Sequence, residues 1–199
     1  MINIKAYQIL ALFILAIFYS AYFTKMYLQK QKGIQTDQIN KGFKPPKTQR
    51  VERVMSFATR SIVIIELVSI IFDWRIIVSK PMVVIGLIIS SLGVITFIIA
   101  MITMKDSWRA GINKNEKTQL ITVGIYQYSR NPAFLGFDLM YTGVLISFFN
   151  IPLLCFTVLT VITLHLQILQ EEAFLPTLFG SSYVEYMKQT FRYIGRTRF

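Results

Sequence analysis

Three stretches of this sequence contain no charged residue, and each is about long enough to cross a membrane as a helix. They are residues 6–24, 82–104 and 151–170. An α-helix rises about 1.5 Å per residue, so the roughly 30 Å hydrocarbon core of a bilayer requires about 20 residues. With 54% hydrophobic residues over 199 positions, the chain is also too apolar for an ordinary soluble domain of this size. The sequence therefore predicts an integral membrane protein.

Two further apolar segments contain charged residues but still fit spanning helices. Residues 55–72 include Arg60 and Glu66, and residues 133–149 include Asp138. Because a charge that faces lipid is costly, these side chains are expected to face other helices or the membrane surface. Arg60 is expected to extend to the surface along its apolar stem, and Glu66 to hydrogen-bond to a neighbouring helix. The predicted fold is an all-α polytopic membrane protein with about five transmembrane helices.

The distribution of basic residues between these segments predicts the orientation. Residues 25–53 contain eight Lys or Arg, residues 73–81 contain two, residues 105–131 contain five, and the tail after residue 170 contains four. Loops rich in Lys and Arg stay in the cytosol. The N-terminus is therefore expected outside and the C-terminus in the cytosol. The short chain and the lack of a retention signal favour a bacterial plasma membrane.

Net charge, cysteine and histidine exclude several classes of function. The net charge of +11 follows from the topology, with attraction to anionic headgroups as a second contribution, and no soluble basic domain is present to bind nucleic acid. One cysteine, Cys155, and one histidine, His165, exclude a disulfide framework and a zinc cluster, so no metal site is predicted. Cys155 is expected to fill space in the last helix, and its separation from His165 argues against a Cys-His nucleophile.

Glycines on two of the predicted helices indicate close helix packing. Gly86 and Gly93 are seven residues apart, as are Gly136 and Gly143, which places each pair on one side of its helix. Small residues in such a stripe let two membrane helices approach closely. The connector at residues 29–48 instead contains two glycines and two adjacent prolines, which predicts a mobile loop without a catalytic role.

Candidate catalytic residues concentrate around the last two predicted helices. Pro132 opens the first of them at its first turn, directly after Arg130 and Asn131, and the second ends at Glu171 and Glu172. A tight turn between the two helices makes them a hairpin. The pair Arg130 and Asn131 is therefore expected at the same membrane face as the pair Glu171 and Glu172.

These residue types suit the three parts of S-adenosylmethionine. An arginine and a helix N-terminus suit a carboxylate, paired glutamates suit an ammonium group, and aromatic side chains suit a planar base. None of the ten glycines forms the GxGxxG turn with which soluble domains bind nucleotides. Two glutamates after a spanning helix are also common as a solvated helix end, so this pattern alone does not identify the cofactor.

The order and spacing of these residues resemble those of the isoprenylcysteine carboxyl methyltransferases and their phospholipid methyltransferase relatives. Three segments between residues 108 and 196 carry the resemblance: Leu120-Ile121-Thr122-Val123-Gly124-Ile125-Tyr126, Arg130-Asn131-Pro132-Ala133-Phe134-Leu135-Gly136, and Glu171-Glu172 with Leu175, Phe179, Gly180, Tyr183, Tyr186 and Arg192. Asn131 stands where the family has histidine, and Phe134 where tyrosine is common. Asn131 cannot titrate near neutral pH, whereas Phe134 keeps the aromatic wall.

The resemblance implies a pocket for S-adenosylmethionine between the last two helices and the cytosolic segments. The residues along the cofactor would be Leu120, Ile121, Gly124, Tyr126 and Phe134, and its floor would be Arg130, Asn131 and Pro132. Glu171 and Glu172 would hold the amino-acid end of the cofactor or orient Arg130. Arg192 would face a substrate carboxylate or the cofactor, or else anchor the tail at the membrane. The implied catalytic residues are Arg130, Glu171 and Arg192.

The implied reaction is carboxyl O-methylation of a lipidic or prenylated acceptor that enters from the bilayer. An ionised carboxylate needs no base, whereas an amine or phenol would need Glu171 or Glu172 to accept a proton. Residues 1–104 would form a three-helix membrane region and residues 105–199 a methyltransferase-like core. The alternatives are an NADPH-dependent membrane reductase of the sterol-reductase type and a non-catalytic accessory membrane protein. The acceptor and the oligomeric state stay open.

Overall fold

The computed structural model describes residues 5–41, 44–109, 111 and 118–197. The described residues form six α-helices: α1 (Ala6–Gln31), α2 (Pro46–Ile71), α3 (Lys80–Met104), α4 (Pro132–Ser147), α5 (Ile151–Phe179) and α6 (Ser181–Gln189). Two short 3₁₀ helices, Lys105–Ser107 and Gly124–Gln127, lie between α3 and α4. The described part of the chain contains no β-strand, so the all-α prediction is confirmed.

Four helices, α1, α2, α3 and α5, are long and apolar enough to cross a membrane. The fifth predicted span, α4, is apolar but has only 16 residues, or about 24 Å of helix. Its limits have local causes. Pro132 occupies its first turn, where a missing N–H is tolerated, and Asn150 accepts the Leu153 backbone N–H at 2.9 Å to begin α5. The polytopic membrane architecture is confirmed, and α4 is the shortest of its five apolar helices.

The predicted glycine stripes form the contact between α3 and α4. The backbones of these antiparallel helices touch where Gly86 meets Gly143 and Gly93 meets Gly136. Ser90 adds a hydrogen bond of 3.3 Å to a backbone carbonyl of α4. Lipid is as apolar as the helix surfaces, so the hydrophobic effect does not drive helices together within it. Such close packing drives their association instead. The start of α4 is thereby held at a defined height against α3.

The short connections at residues 72–79 and 148–150 lie together, at what we call the hairpin end of the bundle. Asn150 joins them, because its amide nitrogen donates to the Ser69 hydroxyl at 2.9 Å and to the Trp74 carbonyl at 3.0 Å. These bonds tie α2 to the beginning of α5. Helices α2 and α5, which both contribute to the site described below, are therefore fastened to each other at this end.

The opposite end carries the connections rich in Lys and Arg, and we call it the basic end. Here the described residues of the connector, 32–41 and 44–45, are bonded to α2 through Asn40 and Lys44, although the sequence predicts a mobile loop. Lys44 donates to the Gln38 carbonyl and to the Glu52 carboxylate, both at 2.6 Å. The other oxygen of Glu52 accepts the Asn40 backbone N–H at 2.7 Å. Both Lys44 and Glu52 are buried, so this ion pair fastens the connector.

Two predictions for single residues are also wrong. Glu66 is fully buried, but neither carboxylate oxygen has a hydrogen-bond partner among the described residues, whereas the sequence predicts a bond to a neighbouring helix. Cys155 is exposed and does not fill space inside the bundle. His165 contacts the Tyr193 hydroxyl at 2.7 Å through Nδ1, which ties α5 to the C-terminal tail.

We expect Gly93→Ala to destabilise the protein, because a Cβ there would lie 2.6 Å from the Met140 nitrogen and 2.7 Å from the Gly136 carbonyl oxygen. Backbone atoms cannot move aside as a flexible side chain can, so the overpacking should cost about 1–3 kcal/mol. Thermal unfolding of the purified protein in detergent measures the loss as a lower Tm. The control is Val84→Ile, which adds a methylene at an exposed position of α3. An unchanged Tm for Gly93→Ala would contradict the contact.

Candidate active site

Glu172, in the last third of α5, is the centre of a hydrogen-bond network at the basic end. The Arg130 guanidinium donates to both of its carboxylate oxygens, from Nε at 3.1 Å and from Nη2 at 3.0 Å. Arg192 reaches the same carboxylate from the C-terminal tail, with Nε 2.9 Å from Oε2. The side chains of Arg130 and Glu172 are buried, whereas that of Arg192 is 37% exposed. One carboxylate thus joins the start of α4, α5 and the tail.

Asn131 belongs to this network and does not cap α4 with its side chain. It directly precedes Pro132 and makes no side-chain capping bond. Its amide nitrogen donates to Glu172 at 2.8 Å and to the Arg192 carbonyl at 3.2 Å. An amide provides two such donors without carrying a charge. Asn131 therefore adds hydrogen bonds, but no third positive charge, around Glu172.

The remaining donors of Arg130 hold the tail against the start of α4. Nη1 donates to the backbone carbonyls of Met187 at 3.2 Å and Thr190 at 2.5 Å, at the end of α6. The Arg130 backbone N–H donates to the Phe191 carbonyl at 3.0 Å. All three guanidinium nitrogens are engaged by the protein itself. Arg130 therefore has little capacity left to bind the carboxylate of a ligand.

Three buried tyrosines lie beside the network. The Tyr186 hydroxyl donates to the Tyr126 carbonyl at 2.5 Å, and the rings of Tyr183 and Tyr186 pack with centroids 6.0 Å apart. Burial raises the pKa of Tyr126, Tyr183 and Tyr186 above the usual value. For Tyr126, the nearby Glu171 raises the pKa further. All three side chains are therefore neutral near pH 7 and offer aromatic faces and hydroxyl donors.

A cavity of about 700 Å³ opens beside this network. Its wall at the basic end includes Leu120, Ile121, Tyr126, Asn131, Phe134 and Glu171. Glu171 accepts a hydrogen bond from the Gln167 amide at 2.9 Å, and no described basic residue forms an ion pair with it. Neighbouring helix residues point about 100° apart, so Glu172 joins the network while Glu171 faces the cavity.

The opposite wall of the cavity comes from α1, α2 and the connector. It includes Tyr19, Tyr22, Asn40, Thr59, Arg60 and Val63. Sequence motifs do not identify these residues, although the spacing of Thr59 and Val63 is typical of one helix face. Arg60 is exposed and also lies on this wall, so its predicted extension to the membrane surface stays a prediction and a position beside the cavity is added to it. The site therefore includes residues of α1, α2 and the connector as well as those around α4 and α5.

The residues that the sequence assigns to the site all lie at the basic end but fall into two groups. Seven line the cavity: Leu120, Ile121, Tyr126, Arg130, Asn131, Phe134 and Glu171. Four lie outside its wall: Gly124, Pro132, Glu172 and Arg192. Gly124 has a φ of 61° and lies against Thr103, a backbone conformation that favours glycine. Glu172 and Arg192 remain in the network behind the wall.

Comparison with known protein families agrees with the motifs around the cavity. Residues 82–177 match the model of the isoprenylcysteine carboxyl methyltransferase family, and no curated protein matches the chain significantly. The matched region runs from α3 into α5. It contains Arg130, Asn131 and both glutamates, and it stops before α6 and Arg192. Over these residues, just under half of its length, the chain is similar to the isoprenylcysteine carboxyl methyltransferase family.

Proposed function

We propose that the chain uses S-adenosylmethionine to methylate a carboxylate of a membrane-embedded acceptor. The observation that carries this proposal is the unequal environment of two adjacent glutamates. Glu172 accepts hydrogen bonds from two guanidiniums and an amide. Glu171 lines the cavity and has no ion-pair partner in the described part of the chain. The cavity therefore offers one unneutralised carboxylate to a cationic ligand.

The residues of the cavity fit S-adenosylmethionine. Glu171 would bind its ammonium group through charge-assisted hydrogen bonds. Tyr126 and Phe134, with the apolar side chains of Leu120 and Ile121, would contact the adenine, because aromatic and apolar surfaces suit a planar base. Small-molecule sites have volumes of roughly 300–1,000 Å³. A cavity of about 700 Å³ lies in the middle of that range.

Arg130, Asn131 and Glu172 are proposed to position this wall. The donors of Arg130 are bound by Glu172 and by the backbone of the tail, so its proposed role is to keep α4 and the tail in place beside Glu171. Arg192 would contribute as the second guanidinium on Glu172. Gly124 and Pro132 would shape the backbone behind the cofactor without touching it.

A carboxylate acceptor makes few chemical demands on these residues. When bound, S-adenosylmethionine would supply a methyl group on a cationic sulfur. An ionised carboxylate oxygen would bond to that methyl carbon in line as the carbon–sulfur bond breaks, so that an ester forms and neutral S-adenosylhomocysteine leaves. No side chain has to accept a proton, so an uncharged Asn131 in place of histidine is compatible with the reaction. The chain would align the two partners and exclude water, which can contribute up to about 7–11 kcal/mol to lowering the barrier.

The acceptor is proposed to enter from the bilayer along α1 and α2. Tyr19, Tyr22 and Val63 make that side of the cavity largely apolar, which suits a prenyl or another lipid chain. Residues 1–104 would then supply the acceptor side and residues 105–199 the cofactor side. The Lys and Arg distribution favours a cytosolic basic end, from which a soluble cofactor has access. The proposed location is a bacterial plasma membrane.

Glu171→Gln is expected to weaken the binding of S-adenosylhomocysteine about ten- to a hundredfold. This product retains the ammonium group, and a hydrogen bond to a charged group is worth about 1.5–3 kcal/mol. Titration calorimetry on the purified protein in detergent measures the affinity. The control is Glu185→Gln, which alters an exposed carboxylate on α6 that pairs with Lys188.

Two outcomes of this titration would count against the proposal. Wild-type protein that binds NADPH and not S-adenosylhomocysteine would favour the reductase function instead. An unchanged affinity in Glu171→Gln would remove Glu171 from the cofactor site, since no other described carboxylate on this wall lacks a basic partner.

Glu172→Gln is expected to lower the stability of the fold, whereas Glu171→Gln is not. Without the carboxylate, Arg130 is buried with no counter-charge, and breaking a buried ion pair costs about 3–5 kcal/mol. The more exposed Arg192 contributes less. Thermal unfolding in detergent should show a lower Tm. Asp106→Asn, which removes an exposed ion pair with Lys32, is the control and should change Tm little. Equal Tm values for Glu172→Gln and wild type would contradict the structural role.

A further inference from the structure

The wall formed by α2 contains a cation that has no place in the proposed function so far. Arg60 lies within the apolar part of α2 and lines the cavity together with Thr59 and Val63. An arginine inside a spanning helix commonly faces the bundle interior or a polar cavity and marks a substrate path, because contact with lipid is costly. The Arg60 side chain is exposed, so its charge stays accessible while it also borders the cavity.

Arg60 differs from the other arginines of the cavity in its partners. Arg130 is bound by Glu172 and by two backbone carbonyls. Arg109 donates to two backbone carbonyls, at 2.6 and 2.9 Å. Among residues 5–41, 44–109, 111 and 118–197, none forms a hydrogen bond or an ion pair with the Arg60 guanidinium. An unneutralised guanidinium at a cavity favours an anionic ligand, above all one with two oxygens in a plane.

The surroundings of Arg60 fit an amphiphile with one anionic group. On one side, Asn40 of the connector donates to the Ser56 hydroxyl at 3.2 Å, and both residues line the cavity. On the other side, Val63, one turn further along α2, and Tyr19 of α1 continue the wall. Polar groups are therefore available next to the guanidinium, and apolar surface is available for a chain that extends away from it.

We propose that Arg60 binds the carboxylate of the methyl acceptor, an inference that rests on the carboxyl methyltransferase function proposed above. The cavity then has one site for each charge: Glu171 for the ammonium of the cofactor and Arg60 for the anion of the acceptor. Methylation converts the carboxylate into a neutral ester, so Arg60 favours the substrate over the product. Arg60 lies outside residues 82–177, in the part of the chain that the family match does not cover.

The test compares an acid with its own ester in the absence of cofactor. N-acetyl-S-farnesylcysteine and its methyl ester are titrated into the full-length protein in a neutral detergent. Binding is followed by calorimetry and by the intrinsic fluorescence of the two tryptophans, of which Trp108 lines the cavity. We expect the wild-type protein to bind the acid at least tenfold more tightly than the ester.

Substitutions of Arg60 should remove this preference selectively. In Arg60→Gln the affinity for the acid should fall about tenfold or more, while the affinity for the ester stays the same. Arg60→Lys keeps the charge but loses the planar fork, so an intermediate affinity is expected. The matched control is Arg53→Gln, which removes an exposed cation of α2 that is bonded to the Gln49 carbonyl and does not line the cavity.

Several outcomes would overturn the proposal. One is that the wild-type protein binds the acid and the ester with equal affinity. Another is that Arg60→Gln binds the acid as tightly as the wild-type protein does. Dodecyl phosphate serves as a second anion: a loss in Arg60→Gln for this phosphate and not for the acid would overturn the assignment of a carboxylate. A loss of S-adenosylhomocysteine binding in Arg60→Gln would place Arg60 at the cofactor and equally overturn it.

Binding of S-adenosylhomocysteine also separates this inference from the function on which it rests. Wild-type protein that fails to bind this product would refute the methyltransferase proposal itself. Normal binding of the product in Arg60→Gln, together with loss of the acid preference, would support both proposals and show that the variant is folded.

Discussion

The carboxylate of Glu172 is the interaction on which the basic end of the molecule depends. It accepts hydrogen bonds from Arg130 and Asn131 at the start of α4 and from Arg192 in the tail. A buried carboxylate is costly unless it is paired and hydrogen-bonded, and here both oxygens have partners. Because Arg130 also binds the carbonyls at the end of α6, Glu172 and Arg130 together hold the tail beside α4.

The same interaction explains why the neighbouring Glu171 has no ion-pair partner among the described residues. Two adjacent residues on a helix cannot face the same partners, so the arginines that surround Glu172 leave Glu171 without a counter-charge beside the cavity. A structural ion pair and a candidate ligand-binding carboxylate thus arise from consecutive positions. In the sequence, the adjacent positions of Glu171 and Glu172 suggest a shared role. Their different environments in the structure support two separate roles.

Features that depend on local pattern could be predicted from the sequence, whereas features that depend on a distant partner could not. The lengths of the apolar runs predict the helices, and the glycine spacing predicts the α3–α4 contact. By contrast, no local pattern indicates that Lys44 and Glu52 fasten the connector or that Arg192 reaches Glu172. Glu66 shows the same limit, because its charge predicts that it faces other helices but does not reveal that no described residue hydrogen-bonds to its carboxylate. For the site, motifs identify only the wall around α4 and α5.

The origin of the two cavity walls limits what the family match implies about the acceptor. The wall with Glu171 lies mainly at the matched residues 82–177, whereas Tyr19, Asn40 and Arg60 come from helices and a connector outside them. Conserving the first wall would keep methyl transfer, while changes in the second would alter which molecule is methylated. The proposed transfer to a carboxylate would require only positioning, so such changes need not disturb the chemistry. The acceptor is therefore better inferred from the charge and shape of the second wall than from the family name.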